Sequence, residues 1–540
     1  MPVPHRQHVP DILECLAQLS SDEVPTPPKL ANAMLDLLPA DVWRDPGLRW
    51  LDPCAKSGVL LREIVKRLLF EGLVGWEPDF DKRREHIFRN MIFGCGITEL
   101  TGIISRRTVY YSRHAAGEHS VISFDTDDGN LPFVRARHGF NTQGRCQICG
   151  APKDLERGDE RENYAYAFIH GAYPTEEMSD MKFDVIVGNP PYQIGTEGHG
   201  ATASTIYDNF VRRAIELSPR YITMITPSRW FTGGKGLDEY RGQMIQDRRL
   251  RSIVDNPKIY DCFPGVKIRG GVSYFLWDRE HNGDCQFSTR VNGEIISTMS
   301  RDLRDGDGVL VRDNRAMSVI RKINESGVED RVETICSVTK PFGLTMRSNY
   351  PGSVPEPFAG SIPLIYNKRV GYSRPDQIQR NHEWIDRWKV LLPMASSGDT
   401  PIDECGNIVD VVLGEPIALA PGSACTQTYF IAGMFENREA TENYAYYLAT
   451  KFVRFLVLQR KSTQHVSPER FRFVPLLDMS RRWTDEDLYE RFGLSEEEKA
   501  YIETTIKPRS VNLSLDSPIP PSHLPGGFKY RGATASPAKA

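Results

Sequence analysis

The hydrophobic and polar positions of the chain alternate between two kinds of segment. Short apolar runs rich in β-branched residues predict buried strands, and runs with apolar residues at helical spacing predict amphipathic helices. The predicted strands are Leu48–Asp52, Asn90–Gly96, Val121–Phe124, Phe183–Gly188, Tyr221–Ile225, Arg251–Asp255 and Gly271–Trp277. The predicted helices are residues 11–20, 30–39, 60–69 and 207–217. Strands with helices between them predict a mostly parallel, doubly wound α/β sheet, which binds ligands at the carboxyl ends of its strands.

The pattern changes at about residue 287. Beyond it, short strand-like pieces are broken by Gly and Pro, and a helix is predicted over Asn443–Arg460. Ser495 and Glu498 have capping-box spacing before a short acidic helix. The predicted organisation is an N-terminal helix in 1–24, an α/β domain in 25–286 with an insertion at about 131–175, a mixed α+β domain in 287–506 and a disordered tail in 507–540.

Composition narrows the class of protein. The 540 residues are 40% hydrophobic and 26% charged, with a formal net charge of −4. No apolar run approaches the roughly 18 residues of a membrane helix, and the start has no signal-peptide core, so a cytoplasmic protein without a membrane partner is expected. The charge argues against a surface that binds polyanions throughout, and any basic surface must be local. The scattered cysteines favour reduced thiols over disulfides.

The segment Asn189-Pro190-Pro191-Tyr192 directly follows the most apolar strand. An amide side chain and a carbonyl held by prolines can accept hydrogen bonds from a planar NH2 group, and the tyrosine ring offers a face for stacking. The tetrapeptide resembles the Asn-Pro-Pro-Tyr motif of S-adenosylmethionine-dependent amino-methyltransferases. The resemblance implies a site at Asn189, Pro190, Pro191 and Tyr192 that methylates a planar nitrogen.

A second segment, Asp52-Pro53-Cys54-Ala55-Lys56-Ser57-Gly58, lies between a predicted strand and a predicted helix. It resembles the cofactor loop of the same family, usually Asp-Pro-x-x-Gly-x-Gly. Lys56 stands where the first glycine is expected, so either the turn is shifted or Lys56 lies over the cofactor carboxylate. The cofactor contacts implied by the resemblance are Thr26, Pro27, Asp52, Pro53, Ser57 and Gly58. Thr26 also has the features of a helix N-cap ahead of two prolines.

Two acidic residues are further cofactor candidates. An acid after the second strand of such folds binds the ribose hydroxyls, and Glu99 is the nearest one, although the family position aligned on Gly94 falls on Gly96. A first-turn Glu also stabilises a helix on its own account. Asp125, after the predicted third strand, could meet the adenine amino group; the alternative is a solvated acidic loop.

The order of the motifs along residues 24–280 resembles the TaqI-like, gamma-class adenine-N6 DNA methyltransferases. This resemblance implies transfer of a methyl group to the N6 amine of a flipped adenine in duplex DNA, by a site-specific enzyme of restriction-modification or phage-defence type. It assigns Phe263, followed by Pro264, to packing on the flipped base; an ordinary core aromatic is the alternative. A separate cognate nuclease partner is implied by the family alone.

Within the insertion, His138, Cys146, Cys149 and His170 have the spacing H-x7-C-x2-C-x20-H. Two thiolates and two imidazoles satisfy tetrahedral zinc, and four protein ligands leave no open position, which favours a structural metal over a catalytic one. His114 and His119 compete for the histidine positions, and free thiols are the alternative to a metal.

The C-terminal half contains two groups suited to DNA. One combines Arg, Asn and aromatic side chains that can contact base edges and phosphates: Arg347, Asn349, Tyr366, Asn367, Lys368, Arg369, Tyr372 and Arg374. The other is a basic window predicted to bind phosphates: Lys451, Arg454, Arg460, Lys461, Arg470 and Arg472. The rival functions are an RNA-base or protein-glutamine N-methyltransferase and an inactive DNA-binding relative, for which Lys56 is the warning.

Overall fold

The structure is a computed structural model that describes residues 24–151, 153, 166–178, 180–194, 204–233, 236–258, 261–263, 270–345, 354–367, 369–395, 412–461 and 465–516. The chain divides into two compact units between Arg312 and Asp313. The predicted N-terminal helix, Pro264, Arg347, Asn349 and Lys368 lie outside the described residues.

The first unit is built on one large sheet. Among its described residues, ten strands are present: β1 (Trp50–Ala55), β2 (Ile92–Gly96), β3 (Val185–Gly188), β4 (Gln193–Ile194), β5 (Ser204–Thr205), β6 (Tyr221–Pro227), β7 (Leu250–Asn256), β8 (Val272–Asp278), β9 (Cys285–Val291) and β10 (Glu294–Arg301). Eight of these form a sheet in the order β10-β9-β7-β8-β6-β3-β1-β2, and β4 pairs with β5 as a separate short ribbon.

The sheet is mostly parallel, as predicted for its central strands. β1 pairs in parallel with β2 and β3, and β3 with β6, whereas β8 runs antiparallel between β6 and β7. Every residue of β1 and β3 is buried, as expected for central strands covered on both faces. The arrangement places the carboxyl ends of β1, β2, β3 and β6 at one edge.

Helices of the first unit pack against this sheet and share its hydrophobic core. They are α1 (Pro28–Leu35), α2 (Val59–Arg67), α3 (Phe80–His86), α4 (Glu99–Tyr110), α5 (Tyr207–Glu216) and α6 (Asp238–Gln246). α4 begins with a capping box in which the side chains of Thr98 and Thr101 bond each other's backbone amides. This cap satisfies helix amides that would otherwise lie unpaired at the buried edge of the sheet.

Two expectations for the first unit are wrong. Val121–Phe124 forms no strand; the chain that lies beside β2 is instead the stretch around Phe133, which bridges Gly96 in parallel. The domain boundary predicted at residue 286 is also wrong, because β9 and β10 complete the same sheet and the first unit extends to Arg312. Most residues of β10 are exposed, so this strand lacks the apolar run by which the sequence identified the central strands.

The second unit is a mixed α+β structure. Its described strands are β11 (Ile362–Tyr366), β12 (Arg369–Ser373), β13 (Trp388–Pro393), β14 (Ile417–Leu419), β15 (Ala424–Cys425), β16 (Tyr429–Phe435) and β17 (Asn512–Ser514). They form two sheets with the orders β12-β11-β15 and β16-β13-β14-β17. The described helices are α7 (Asn314–Glu325), α8 (Arg438–Ala449), α9 (Lys451–Leu458), α10 (Asp485–Arg491) and α11 (Glu496–Thr505).

Three sequence predictions meet the structure in this unit. The capping box of Ser495 and Glu498 is confirmed at the start of α11. The single helix predicted over 443–460 is two helices, because Thr450 adopts a non-helical conformation and caps α9. The tail predicted from residue 507 is wrong for Asn512–Ser514, which pair with β14, and residues 517–540 lie outside the described residues.

Candidate active site at the carboxyl edge of the sheet

Asn189 follows β3 directly and is held by the segment that precedes α1. Its side-chain nitrogen Nδ2 donates to the Val24 carbonyl and to Thr26 Oγ1, both at 3.1 Å. Thr26 therefore does not cap α1, whose N-cap is Pro27. The hydroxyl that sequence reasoning assigned to a helix cap instead holds the amide of a residue 163 positions away.

The other half of the Asn189 amide is unsatisfied. Its oxygen Oδ1 is buried and accepts no hydrogen bond from the described residues. A buried acceptor without a donor costs about 1–3 kcal/mol, so such atoms are rare in folded proteins. Because Nδ2 already has two acceptors, Oδ1 is the group left for a donor that the described chain does not provide.

Tyr192 is a second buried residue whose polar atom has no hydrogen-bond partner among the described residues. Its ring is 8% exposed and lies edge-on to Tyr207, with 6.5 Å between ring centroids. Its hydroxyl has no partner among the described residues, and burial raises its pKa well above the ordinary value. Pro190 and Pro191, which lie between Asn189 and Tyr192 in the sequence, are also buried. The tetrapeptide thus combines an open acceptor with an aromatic ring inside the protein.

The loop after β1 lies beside this tetrapeptide. A Cβ added at Gly188 would stand 2.9 Å from Cys54 Sγ, so β1 and β3 approach closely here only because residue 188 is glycine. The Cys54 backbone amide donates to Asp52 Oδ1 at 3.1 Å. Burial raises the pKa of Asp52 to about 7, outweighing this bond and the charge of Lys56. The Asp52 carboxyl therefore changes between its neutral and ionised forms near neutral pH.

Lys56 does not need the left-handed backbone that its position suggested. The positive φ of this turn falls on Gly58, at +72°, and Gly58 packs so closely on α4 that an added Cβ would stand 3.0 Å from the Ser105 backbone. The Lys56 side chain turns inward: the residue is 8% exposed, and its Nζ lies 6.0 Å from the centre of the Tyr192 ring. A cation thus lies between the two motifs.

The two motifs line one small cavity, of about 10 Å³. Its walls include Thr26, Asp52, Lys56, Ser57, Gly58 and Asn189. This is about the space that a single water occupies. Four of the predicted cofactor residues therefore share a cavity with the predicted catalytic Asn189, and any larger ligand requires a lining side chain to move. Lys56 is the clearest such side chain, because it points inward and fills space that a glycine at this position would leave open.

The remaining predicted site residues are not at this cavity. Glu99 opens α4 with its side chain 70% exposed, 3.7 Å from Arg135, and Asp125 lies in an exposed loop. Neither lines the cavity. Phe263 is 2% exposed, and the residues that follow it, 264–269, lie outside the described residues. Its burial fits either an interior aromatic or a ring that contacts a ligand from inside the protein.

The four predicted metal ligands converge. His138, Cys146, Cys149 and His170 each offer a ligand atom, and all four atoms lie within 4.8 Å of one another. Ligands at zinc bond lengths would be separated by about 3.3–3.8 Å. Neither ring nitrogen of His170 has a hydrogen-bond partner among the described residues, although both are buried. The competitors His114 and His119 are not part of the cluster.

The knuckle, Leu131–Ala151, is shaped by backbone hydrogen bonds around the two cysteines. The Gly150 amide donates to the Cys146 carbonyl at 3.0 Å, and Gly150 itself has a φ of +71°. Burial alone would raise the pKa of Cys146, but hydrogen bonds from the backbone amides of Cys149 and Ile148 lower it below its ordinary value. A thiol stabilised as thiolate in a Cys-x-x-Cys turn is suited to bind a metal cation.

In the second unit, the two groups proposed for DNA differ. Tyr366, Asn367, Arg369 and Tyr372 share one hairpin, formed by β11 and β12 with Asn367 in its turn. Two cations of the basic window do not fit a phosphate-binding track: Arg454 and Arg460 are 5% and 6% exposed and donate to backbone carbonyls. Lys451 pairs with Glu503. Arg454 and Arg460 are part of the interior of the unit, whereas Arg472 is exposed and its phosphate contact stays a prediction.

No helix in the part of the chain that the structure describes is both long enough and apolar enough to cross a membrane.

Two comparisons with known proteins concern the family of this chain. Residues 90–263 match the family model of the Eco57I restriction-modification methylase. An uncharacterized adenine-specific methylase of Mycoplasma pneumoniae is 33% identical over 354 residues, which are 60% of this chain and 83% of the relative.

Solved structures resemble the chain at lower identity. The DrdV–DNA complex gives a TM-score of 0.44 at 12% identity, covering 92% of this chain and 60% of that one. A nuclease-deletion mutant of the Type ISP restriction-modification enzyme LlaGI, in complex with a DNA substrate mimic, gives 0.45 at 10% identity and covers 89% and 46%. The chain thus spans about half of the length of these solved proteins.

The predicted resemblance is confirmed by the match to the family model and by the extent of the mycoplasma relative: the chain belongs to the family of adenine-specific methylases of restriction-modification type.

Proposed function

We propose that this protein transfers a methyl group from S-adenosylmethionine to the N6 amine of adenine in a specific duplex DNA sequence, as the modification activity of a restriction-modification or defence system. The observation that carries the proposal is the unpartnered Oδ1 of Asn189. It is an acceptor fixed at the carboxyl edge of the sheet, and the exocyclic amine of adenine is a donor that would satisfy it.

Asn189 would act by orienting the target nitrogen. The lone pair of the N6 amine is delocalised into the ring, and hydrogen bonds to Asn189 Oδ1 and to the Pro190 carbonyl would favour a geometry in which that lone pair is available. The bonds from Nδ2 to Val24 and Thr26 keep Oδ1 in place before the substrate arrives. Acceleration then comes from orientation and preorganised dipoles.

The target base must leave the helix to reach a site at this depth. Extruding a base costs a few kcal/mol of lost stacking, which contacts in an enzyme pocket can offset. The ring of Tyr192, with Phe263 as the second proposed aromatic contact, would provide such stacking. Both rings are buried, so the base would replace contacts that they now make within the protein.

The residues at the cavity fit the proposed cofactor chemically. S-adenosylmethionine supplies a methyl group on a sulfonium cation, and it also carries a carboxylate and an ammonium group. Asp52, ionised above about pH 7, would attract cationic groups, and Lys56 would attract a carboxylate. Ser57 and Gly58 provide the start of α2, where backbone amides meet ligands in doubly wound folds. Glu99, at the start of α4, and Asp125, in its loop, are proposed as the ribose and adenine contacts, and both would have to move toward the cavity to reach the cofactor.

We further propose that the four-residue cluster formed by three residues of the knuckle and His170 holds a structural zinc ion. Zinc would link two parts of the insertion. The pairing of Phe140 with Cys146 lies near one end, and His170 lies near the other. The purified protein should contain about one zinc per chain by elemental mass spectrometry. Cys149→Ser should lose the metal, and Cys336→Ser, a thiol in the second unit, should keep it. A metal-free wild-type protein with full thermal stability would rule the zinc out.

Duplex DNA is the proposed partner of the second unit. The β11–β12 hairpin offers Arg, Asn and Tyr side chains with the chemistry of base and phosphate recognition. A separate cognate nuclease is proposed as a further partner of the system, on the strength of the family alone.

The experiment that tests the proposal incubates the purified protein with tritiated S-adenosylmethionine and three acceptors: unmethylated genomic DNA, total RNA and a protein extract. Label should enter DNA as N6-methyladenine, and Asn189→Ala should lower the rate of labelling by about 100- to 1000-fold. The matched control is Asn443→Ala, because Asn443 is also a buried asparagine but its Nδ2 bonds the Met479 carbonyl in the second unit. Label in RNA or in protein instead of DNA would overturn the proposal.

A further inference from the structure

The knuckle carries an unusual local charge for this protein. The whole chain has a net charge of −4, yet Leu131–Ala151 contains three arginines and no Asp or Glu. Zinc bound by two thiolates and two neutral imidazoles would add no net charge, so the arginines set the charge of the module. The rest of the insertion, 152–175, mixes acidic and basic residues. The short cationic stretch Leu131–Ala151 is therefore the part that is a candidate for contact with a polyanion.

The three arginines are exposed. Arg135, Arg137 and Arg145 all face solvent, whereas Ala136 between the first two is buried. In an extended chain this alternation places Arg135 and Arg137 on the same side. Arg135 lies 3.7 Å from Glu99, but both side chains are more than two-thirds exposed, and such surface pairs hold their partners weakly. These three residues are called the arginine surface.

The backbone places this surface at the edge of the sheet that carries the candidate active site. The chain enters the knuckle beside β2, where the Gly96 amide donates to the Pro132 carbonyl and Phe133 bridges Gly96. Gly96 is the last residue of β2, so the knuckle emerges past the carboxyl end of that strand. Asp52 and Asn189 follow neighbouring strands at the same end.

The knuckle is also fastened to the helix that follows the active-site tetrapeptide. Asn209, in the first turn of α5, donates through Nδ2 to the Ile148 carbonyl at 3.2 Å. Phe210 stacks on Phe168 from the second half of the insertion, with ring centroids 6.0 Å apart. The Ile206 amide just before α5 bonds the Tyr192 carbonyl. The knuckle is thus connected to Tyr192 through the start of α5. One hydrogen bond joins Ile148 to Asn209, and another joins Ile206 to Tyr192.

We propose that the arginine surface binds the phosphate backbone of the DNA duplex next to the flipped adenine. A base can enter the site only if the duplex lies across this edge of the sheet, and flipping requires the backbone on either side to be held. Exposed guanidinium groups are suited to phosphate oxygens, and each contact releases condensed counterions. The inference rests on the proposed DNA substrate but not on the metal, since the backbone hydrogen bonds define the knuckle.

The test measures DNA affinity against salt concentration for the full-length protein, using a 30-base-pair duplex and fluorescence anisotropy. Arg137→Gln/Arg145→Gln should reduce the slope of log K against log salt by about 2, and weaken binding by roughly 10- to 60-fold at 0.1 M salt. The control, Lys82→Gln/Arg107→Gln, removes two exposed cations from α3 and from the last turn of α4, away from the carboxyl edge. It should bind like the wild type.

The outcomes separate this inference from the proposed function. A slope that stays unchanged in the knuckle variant, while the wild type binds and methylates DNA, overturns the inference and leaves the function standing. A wild type that methylates RNA or protein and does not bind DNA overturns both. Asn189→Ala, which should bind DNA with the wild-type slope and transfer methyl groups about 100- to 1000-fold more slowly, shows that the binding measurement does not depend on catalysis. Unchanged thermal stability of the knuckle variant excludes misfolding as the cause of weak binding.

Discussion

Two buried polar side chains, one in each unit, differ in what surrounds them. Asn189 is 4% exposed and keeps one oxygen without a donor, whereas Lys389, on β13, is 1% exposed and donates to the carbonyls of Ile385 and Ser423 at 2.8 and 3.0 Å. The lysine pays a larger desolvation cost but has its partners within the chain. The comparison teaches that burial alone does not mark a functional group; Asn189 differs in that it combines an unpartnered oxygen with a place in the cavity that both motifs line.

The largest expected effect is on methyl transfer by Asn189→Ala. Removing one preorganised polar contact from a reacting group typically lowers kcat by about 100- to 1000-fold. The melting temperature should change little, because the variant removes an unsatisfied acceptor together with two hydrogen bonds. Steady-state kinetics and calorimetry on the same preparations check this. A variant that keeps kcat but loses stability would place Asn189 in the same class as Lys389.

Lys389→Met should show the opposite pattern. The variant keeps the volume of the side chain but removes both donors, and we expect a loss of about 1–3 kcal/mol in the free energy of unfolding. Urea denaturation followed by fluorescence measures it, and kcat at a temperature where the variant is folded should match the wild type. An equal or higher stability would mean that desolvation of the ammonium outweighs its two hydrogen bonds.

The same pair of proteins gives a pH test. Burial lowers the pKa of Lys389 to about 8, below the ordinary 10.5. Between these values the unfolded chain binds more protons than the folded one, so this group makes the folded state more stable as pH rises. The unfolding free energy of the wild type relative to Lys389→Met should increase between pH 8 and 10.5, by at most about 3 kcal/mol. A constant difference would show that the lysine is not desolvated.

The smallest expected effect concerns cofactor binding at Asp52. Because burial raises its pKa to about 7, the carboxyl is mostly neutral at pH 6 and mostly ionised at pH 8. Affinity for the cationic S-adenosylmethionine should therefore rise across this range, by up to about 10-fold. Isothermal titration calorimetry at both pH values measures it, and Asp52→Asn should flatten the dependence. A wild-type affinity that is independent of pH would separate Asp52 from the cofactor charge.

The central fold followed from sequence because the core strands are short and mostly apolar, and β3 and β6 are also rich in β-branched residues. The strand predicted at Val121–Phe124 failed because two apolar residues and an aromatic ring in a loop imitate the pattern, while the stretch around Phe133 carries a proline and an arginine next to it. The domain boundary failed because β10, at the edge of the sheet, is exposed on most positions. Hydrophobic pattern identifies central strands better than edge strands.

The candidate site was predictable where a side chain acts through its own chemistry, as for Asn189 and the four metal ligands. It was not predictable where the partner is distant in the chain. The bond from Asn189 to Thr26, and the inward position of Lys56, depend on which strands become neighbours. Arg454 shows the same limit. Its basic sequence context suggested an exposed side chain, but the side chain donates to backbone carbonyls inside the unit.

The bond between Thr26 and Asn189 also bears on how the protein is made. Thr26 leaves the ribosome 163 residues before Asn189, which at typical rates of synthesis is roughly 8–30 s. During that time the segment ahead of α1 has no amide to hold, and the acceptor that would meet adenine does not yet exist. The proposed site is thus complete only once Asn189 has been made, while the rest of the first unit, up to Arg312, is still to follow.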